Sequence, residues 1–206
     1  VRKIPQPDAR TMFLTSTGRC GENNLTSLLQ NLKSVSTITE PDIFTSLAAA
    51  SERREVKPQT LGFLYAASFK LLTHLSEKQT HCQTLVIRAR PVCLESVPLI
   101  HLHAPWVKHL FMYSQGSRTV RSMRTVFKGS LPLHDNIKGI SKVIGIGVKG
   151  HQVKDMDSLM CLAWASMAAR FKEYRRMKIP IHSIRYEDLM VDPSLCLQSI
   201  INLYGL

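Results

Sequence analysis

No stretch of this sequence approaches the ~18 consecutive apolar residues that span a bilayer, and Val1 to Arg10 lack the apolar core of a signal peptide. The chain as given therefore reads as soluble, with any membrane anchor lying outside it. Acidic residues are few, 15 against 27 Lys+Arg, which gives a net charge of +12 and a pI near 9.8. That balance favours polyanionic partners such as nucleotides, nucleic acid, sulfated glycans or anionic membranes, without choosing among them. No basic run is interleaved with aromatics, so a nucleic-acid partner would rest on net charge alone. No C-x-x-C pair occurs among Cys20, Cys82, Cys93, Cys161 and Cys196, which argues against zinc ribbons and thioredoxin-like motifs. One of these five is odd in any disulfide scheme, and the count does not choose a redox compartment. No internal repeat or low-complexity segment is present.

What remains is 206 residues, 44% of them apolar, enough for one substantial core. Because the chain starts at Val1 and stops at Leu206 just after a helix-like run, it is expected to be a fragment of a longer one, residues 1–206 forming a single domain.

Strand and helix signals alternate. Thr11 to Ser16 is β-prone and is followed by the glycine loop Thr17-Gly-Arg-Cys-Gly21, then by Leu25, Leu28, Leu29 and Leu32 at helical spacing. Residues 34–58 are polar and mixed, with Glu40-Pro41-Asp42 reading as a turn. Leu61 to Leu75 has helical character with Leu61, Leu64, Tyr65, Ser68, Leu71, Leu72 and Leu75 on one side. Strands are expected at Thr84 to Arg88, Lys108 to Tyr113 and Ile179 to Ile184. Helices are expected at Val97 to Ala104, from an N-cap at Ser117 through Phe127, at Met156 to Met177, and at Pro193 to Leu203 with Asp192 as N-cap. This order predicts a central parallel sheet with helices on both faces, and such sheets bind ligands beyond the carboxyl ends of their strands.

The loop Thr17-Gly-Arg-Cys-Gly-Glu-Asn-Asn24 lies where a strand becomes a helix, so its backbone N–H groups and the helix dipole form an anion site. No G-K-[ST] follows, so it is not a Walker A loop. Gly145-Ile-Gly-Val-Lys-Gly150 matches G-x-G-x-x-G but arrives late, without a βαβ unit or an acidic ribose ligand ~20 residues on. His101, His103 and His109 cluster in sequence, yet no carboxylate or cysteine completes a tetrahedral set with them, so no metal is expected.

Three motifs carry a resemblance to one family. Phe13-Leu-Thr-Ser-Thr-Gly-Arg-Cys-Gly21 with its leucine-rich helix resembles the 5′-phosphosulfate loop of carbohydrate-type sulfotransferases, close to S-T-G-R-S-G-S-T-L-L. Leu110 to Ser122 resembles the strand, loop and helix that bind the cofactor's 3′-phosphate. Ile184-Arg-Tyr-Glu-Asp-Leu-Met-Val-Asp-Pro193 is similar to the Y-E-D-L-x-x-D-P stretch near the end of many sulfotransferase domains. The motifs stand in family order over about residues 11–205.

The resemblance implies a P-loop NTPase-like sulfotransferase fold and transfer of a sulfuryl group from 3′-phosphoadenylyl sulfate (PAPS) to a hydroxyl, on a glycan or similar acceptor, without metal. It implies a Golgi-lumen location, while the residues leave a cytoplasmic one open. Thr17, Gly18, Arg19, Cys20, Gly21, Asn23 and Asn24 would face the 5′ side, Ser114, Arg118 and Ser122 the 3′-phosphate, and Tyr186 the adenine. Glu40, in a Glu-Pro pair like the family's S-E-P motif, would be the general base, with Asp42 a weaker substitute. Arg19 would neutralise charge on the leaving phosphate. Glu187 and Asp188 would be structural.

This sequence departs from the pattern at charged positions. Cys20 replaces the first serine, Glu22 and Asn23 replace the serine–threonine pair, and Ser114 stands where an arginine is usual, with Arg118 able to compensate. An ionised Glu22 only accepts hydrogen bonds and repels an anion. The alternative reading is therefore a sulfotransferase-fold protein without catalysis, acting as a binding or interaction module.

Overall fold

A computed structural model describes residues 8–127 and 155–205. In chain order the elements are β1 (Arg10–Ser16), α1 (Glu22–Gln30), β2 (Val35–Thr39), α2 (Asp42–Glu52), α3 (Pro58–Thr80) and β3 (Thr84–Arg88). A 3₁₀ segment (Pro91–Ser96), α4 (Val97–His103), β4 (Val107–Tyr113), α5 (Gly116–Phe127), α6 (Met156–Arg176), β5 (Ile181–Arg185), α7 (Tyr186–Val191) and α8 (Pro193–Tyr204) follow. The motif at 145–150 lies outside the described residues.

The five strands form one sheet in the order β2-β3-β1-β4-β5, every pairing parallel. Because β1 is central and buried on both faces, it alternates between two apolar layers rather than between core and water. Met12 and Leu14 enter one core with Leu25 and Leu29 of α1 and Ile200 of α8. Phe13 enters the opposite core with Phe44, Tyr65 and Phe69. The rings of Phe13 and Phe69 meet edge to face at 5.3 Å, and Phe44 lies 4.6 Å from Phe69. Parallel pairing turns the carboxyl end of every strand toward the same edge of the sheet, and the loops carrying the sequence motifs leave from that edge.

The structure departs from the sequence-based expectation in four places. Within 34–58 it forms β2 and α2. In α3 the buried side carries Leu61, Tyr65, Ser68 and Phe69, whereas Leu64, Leu71 and Leu75 are exposed. The aromatic stripe wins the core because Phe13 and Phe44 offer it ring contacts. Helix α5 starts at Gly116, so Ser117 lies inside it rather than capping it. Finally, Tyr186 opens a short helix, α7, that the motif alone did not indicate.

Asp192 caps α8 as expected, its carboxylate accepting the N–H of Leu195 at 2.9 Å. Asp192→Ala leaves that donor to solvent and is expected to lower stability by about 1 kcal/mol. A urea melt should show the midpoint falling at unchanged slope.

Candidate functional site

All five strand ends contribute to one cleft of about 660 Å³. Its wall takes Thr17, Gly18, Arg19, Gly21, Glu22, Asn23 and Asn24 from the segment after β1, Glu40 from the end of β2, and Arg88 and Arg90 from β3 and beyond. Ser114, Arg118 and Ser122 come from β4 and α5, and Tyr186 follows β5. Met123, Val126 and Met167 supply an apolar side.

The loop after β1 is shaped by three residues in the left-handed region, on either side of Cys20. Gly18, Arg19 and Gly21 have φ of 74°, 53° and 82°. Arg19 is the one that pays a side-chain penalty for this conformation, of roughly 1–2 kcal/mol. Such turns can shape a donor surface at the N-terminus of α1, and part of it is met from within: the Gly18 N–H donates to Ser16 Oγ at 3.1 Å and the Thr17 N–H to the Met112 carbonyl at 3.0 Å. A Cβ at Gly21 would sit 2.2 Å from the Tyr186 ring, so only glycine lets that ring lie against the loop. The Arg19 Nε–H donates to Ser122 Oγ at 3.4 Å, which joins the loop after β1 to the helix after β4.

Cys20 is an exception among the expected side chains. Its thiol is buried and lies 3.3 Å from the Met112 carbonyl oxygen, away from the cleft wall. Burial first, and then the Glu22 carboxylate, push its pKa far up, so it stays a neutral thiol. Its backbone N–H donates to Glu22 Oε2 at 3.0 Å.

Glu40 is held by its backbone and by two arginines. Its φ is 49° and its N–H donates to the Arg88 carbonyl at 2.7 Å, which carries the ladder one residue past β2 before the chain turns into α2. Its Oε1 lies 3.1 Å from Arg88 Nη2, and its Oε2 lies 3.3 Å from Arg90 Nε. Arg90 also reaches Asp42 at 3.1 Å. Asp42 is mostly exposed and is not part of the cleft wall.

Arg88 and Arg90 were not among the residues singled out from the sequence. Arg88 is buried, donates through Nη1 to Asn23 Oδ1, pairs with Glu40, and keeps a buried Nε–H without a partner among the described residues. A signal was present, since Arg88 ends a strand that the sequence delimits correctly and parallel strands gather ligands at that end. The cleft thus carries four guanidiniums, of Arg19, Arg88, Arg90 and Arg118, against the carboxylates of Glu22 and Glu40.

The loop after β4 is fixed from several sides. Ser114 Oγ and Thr119 Oγ1 are hydrogen-bonded at 2.7 Å, and the Trp164 indole N–H donates to the Ser114 carbonyl at 3.0 Å. Glu187 accepts the Gln115 N–H at 3.1 Å and the Arg185 Nε–H at 3.1 Å. Partial burial acts to raise the Glu187 pKa, but these donors and its own N–H outweigh it, and the carboxyl sits below its usual range. Arg118 lies over the Tyr186 ring at 5.9 Å and 3.7 Å from Glu187. The three histidines do not meet at the cleft. His109 is buried within β4 and held neutral, its pKa lowered to about 3 by burial and then by His101.

No protein-family model matches the sequence, and comparison with the curated proteins finds no significant relative. Among solved structures, the chain is similar to a sulfotransferase domain from the curacin biosynthetic pathway, with TM-score 0.62 and 12% identity over 98% of this chain and 75% of that one. It is also similar to a sulfotransferase from Alicyclobacillus acidocaldarius, with TM-score 0.59 and 14% identity over 98% of this chain and 82% of that one. At these identities the likeness is one of fold: the chain has a P-loop-like α/β architecture shared with sulfotransferase domains. Among the described residues, no helix is long and apolar enough to cross a membrane, and no group of three metal-ligating side chains converges.

Proposed function

We propose that the chain is a sulfotransferase that moves a sulfuryl group from PAPS to a hydroxyl of a glycan or similar acceptor. The observation that supports this most is the meeting of the glycine loop and the Ser122 helix in one arginine-rich cleft, joined by the Arg19–Ser122 hydrogen bond. Two anion-binding elements on either side of one cleft suit a nucleotide with phosphates at both ends of its ribose.

In this reading the N–H groups between Thr17 and Asn24, with Arg19, hold the 5′ side. Ser122, with Arg118 nearby, holds the 3′-phosphate, and Tyr186 offers an edge to the adenine. The co-substrate supplies an activated sulfuryl group whose leaving oxygen belongs to a phosphate. Arg19, Arg88 and Arg90 neutralise the charge that grows on that phosphate as the acceptor oxygen forms its bond to sulfur. Glu40 takes the proton the acceptor hydroxyl releases, exchanging one guanidinium contact for it. The Golgi lumen is the compartment this reading implies. A second reading, a module that binds without catalysing, is supported by one observation, the Glu22 carboxylate placed at the loop.

Thermal shift and calorimetry with adenosine 3′,5′-bisphosphate test the reading. Wild type should be stabilised, and Arg19→Ala, which removes a cation from the cleft and also the tie to Ser122, should weaken binding by roughly 10-fold or more. Glu40→Gln should retain the nucleotide while losing sulfation of a model glycan. Absence of binding in wild type would leave only the fold.

A further inference from the structure

The glycine loop is not empty of negative charge. Glu22, the first residue of α1, folds its side chain back so that Oε2 accepts the Cys20 N–H at 3.0 Å and lies 3.5 Å from the Cys20 thiol. That N–H belongs to the left-handed turn whose donors would otherwise meet an incoming anion. A carboxylate has the charge and the planar oxygen pair to satisfy such a nest, and the N-terminus of a helix favours it there. Around it the cleft still holds an unspent donor: Arg88 Nε is buried with no hydrogen-bond partner among the described residues. The cup is therefore built for an anion and partly filled from within.

We propose that the Glu22 carboxylate is a resident occupant of this anion position, which a phosphate or sulfate must displace to enter, so that Glu22 sets the selectivity of the cleft for ligands phosphorylated on the 5′ side. The consequence for nucleotides rests on the functional reading above; the competition for the loop does not. An entering anion must break the carboxylate's contact with Cys20 N–H and then sit close to the displaced charge. Both effects act on the 5′ side and leave the Ser122 side untouched. Wild type is thus expected to bind adenosine 3′-monophosphate about as well as adenosine 3′,5′-bisphosphate. Removing the carboxylate restores the advantage of the second phosphate.

The test uses Glu22→Ser, which restores a hydroxyl, and Glu22→Gln, which keeps the shape and removes the charge. Each variant is compared with its own ligand-free melting temperature, because losing an acidic first-turn residue lowers stability by itself. Calorimetry with inorganic phosphate, adenosine 3′-monophosphate and adenosine 3′,5′-bisphosphate supplies the affinities. Both variants are expected to bind inorganic phosphate at least tenfold more tightly than wild type, and Glu22→Ser to prefer the bisphosphate over the monophosphate by at least tenfold. Unchanged or weaker phosphate binding in both variants overturns the proposal, as does a wild type that already prefers the bisphosphate tenfold. If both variants gain phosphate binding while no form binds either nucleotide, the resident carboxylate stands and the nucleotide reading falls.

Discussion

Arg88→Ala should be the most damaging single change at the cleft, lowering stability by about 3 kcal/mol and nucleotide affinity by roughly 10- to 100-fold. The reason is that Arg88 is both a structural tie and a ligand-facing cation. It is 9% exposed, and its two terminal nitrogens connect elements distant in sequence: Asn23 at the start of α1 and Glu40 at the end of β2. Removing a buried partner leaves the other charge stranded, an effect usually worth about 3–5 kcal/mol. The lower end applies here because the Glu40 side chain is 36% exposed and keeps Arg90. On the ligand side, the variant removes one of the guanidiniums that line the cleft. Arg88→Lys keeps the charge but cannot bridge Asn23 and Glu40 through a planar fork, so it should recover affinity better than stability. In a double-mutant cycle with Glu40→Ala, the combined loss should be smaller than the sum of the two. Urea melts and calorimetry read both quantities. An Arg88→Ala protein with the wild-type midpoint and affinity would remove Arg88 from both roles.

The same residue shows where reading the sequence stopped. The strand Thr84–Arg88 was legible in the sequence, and a parallel sheet containing it followed from the alternation of strands and helices, without its edge strand β2. What Arg88 does depends on Glu40, which lies 48 positions earlier in a turn made possible only by a left-handed residue. No local pattern encodes that pairing. Glu40 itself could be singled out because its Glu-Pro context carries a family resemblance, and the structure places it in the cleft with Arg88 and Arg90 around it. Helix α3 failed differently. It is apolar on two sides, Leu61, Tyr65 and Phe69 on one and Leu64, Leu71 and Leu75 on the other, so periodicity offers two answers. Ring packing on Phe13 and Phe44, a tertiary fact, chooses between them. Strand β2 was missed because Val35–Thr39 is an edge strand rich in Ser and Thr, with weak apolar contrast.

Gly21→Ala should come close to Arg88→Ala in effect, for reasons of space rather than charge. Gly21 has φ 82° and ψ 21°, a conformation that costs a residue with a Cβ roughly 1–2 kcal/mol. The added methyl would also lie 2.2 Å from Cδ2 and Cε2 of Tyr186, well inside contact distance. The ring's neighbours resist its movement. Arg118 lies over it, and Glu187, the next residue, is tied to Gln115 and Arg185. Either the glycine loop opens or the start of α7 moves, and each displaces one wall of the cleft. The expected loss is about 2–4 kcal/mol in stability, from the strained φ together with overpacking, and at least tenfold in nucleotide affinity. Tyr186→Ala removes the obstacle, so adding it to Gly21→Ala should restore part of the stability that glycine's loss removes, leaving only the cost of the left-handed backbone. If the double variant is as destabilised as the sum of the single ones, the ring and the loop are not coupled, and Tyr186 does not hold the phosphate loop in shape.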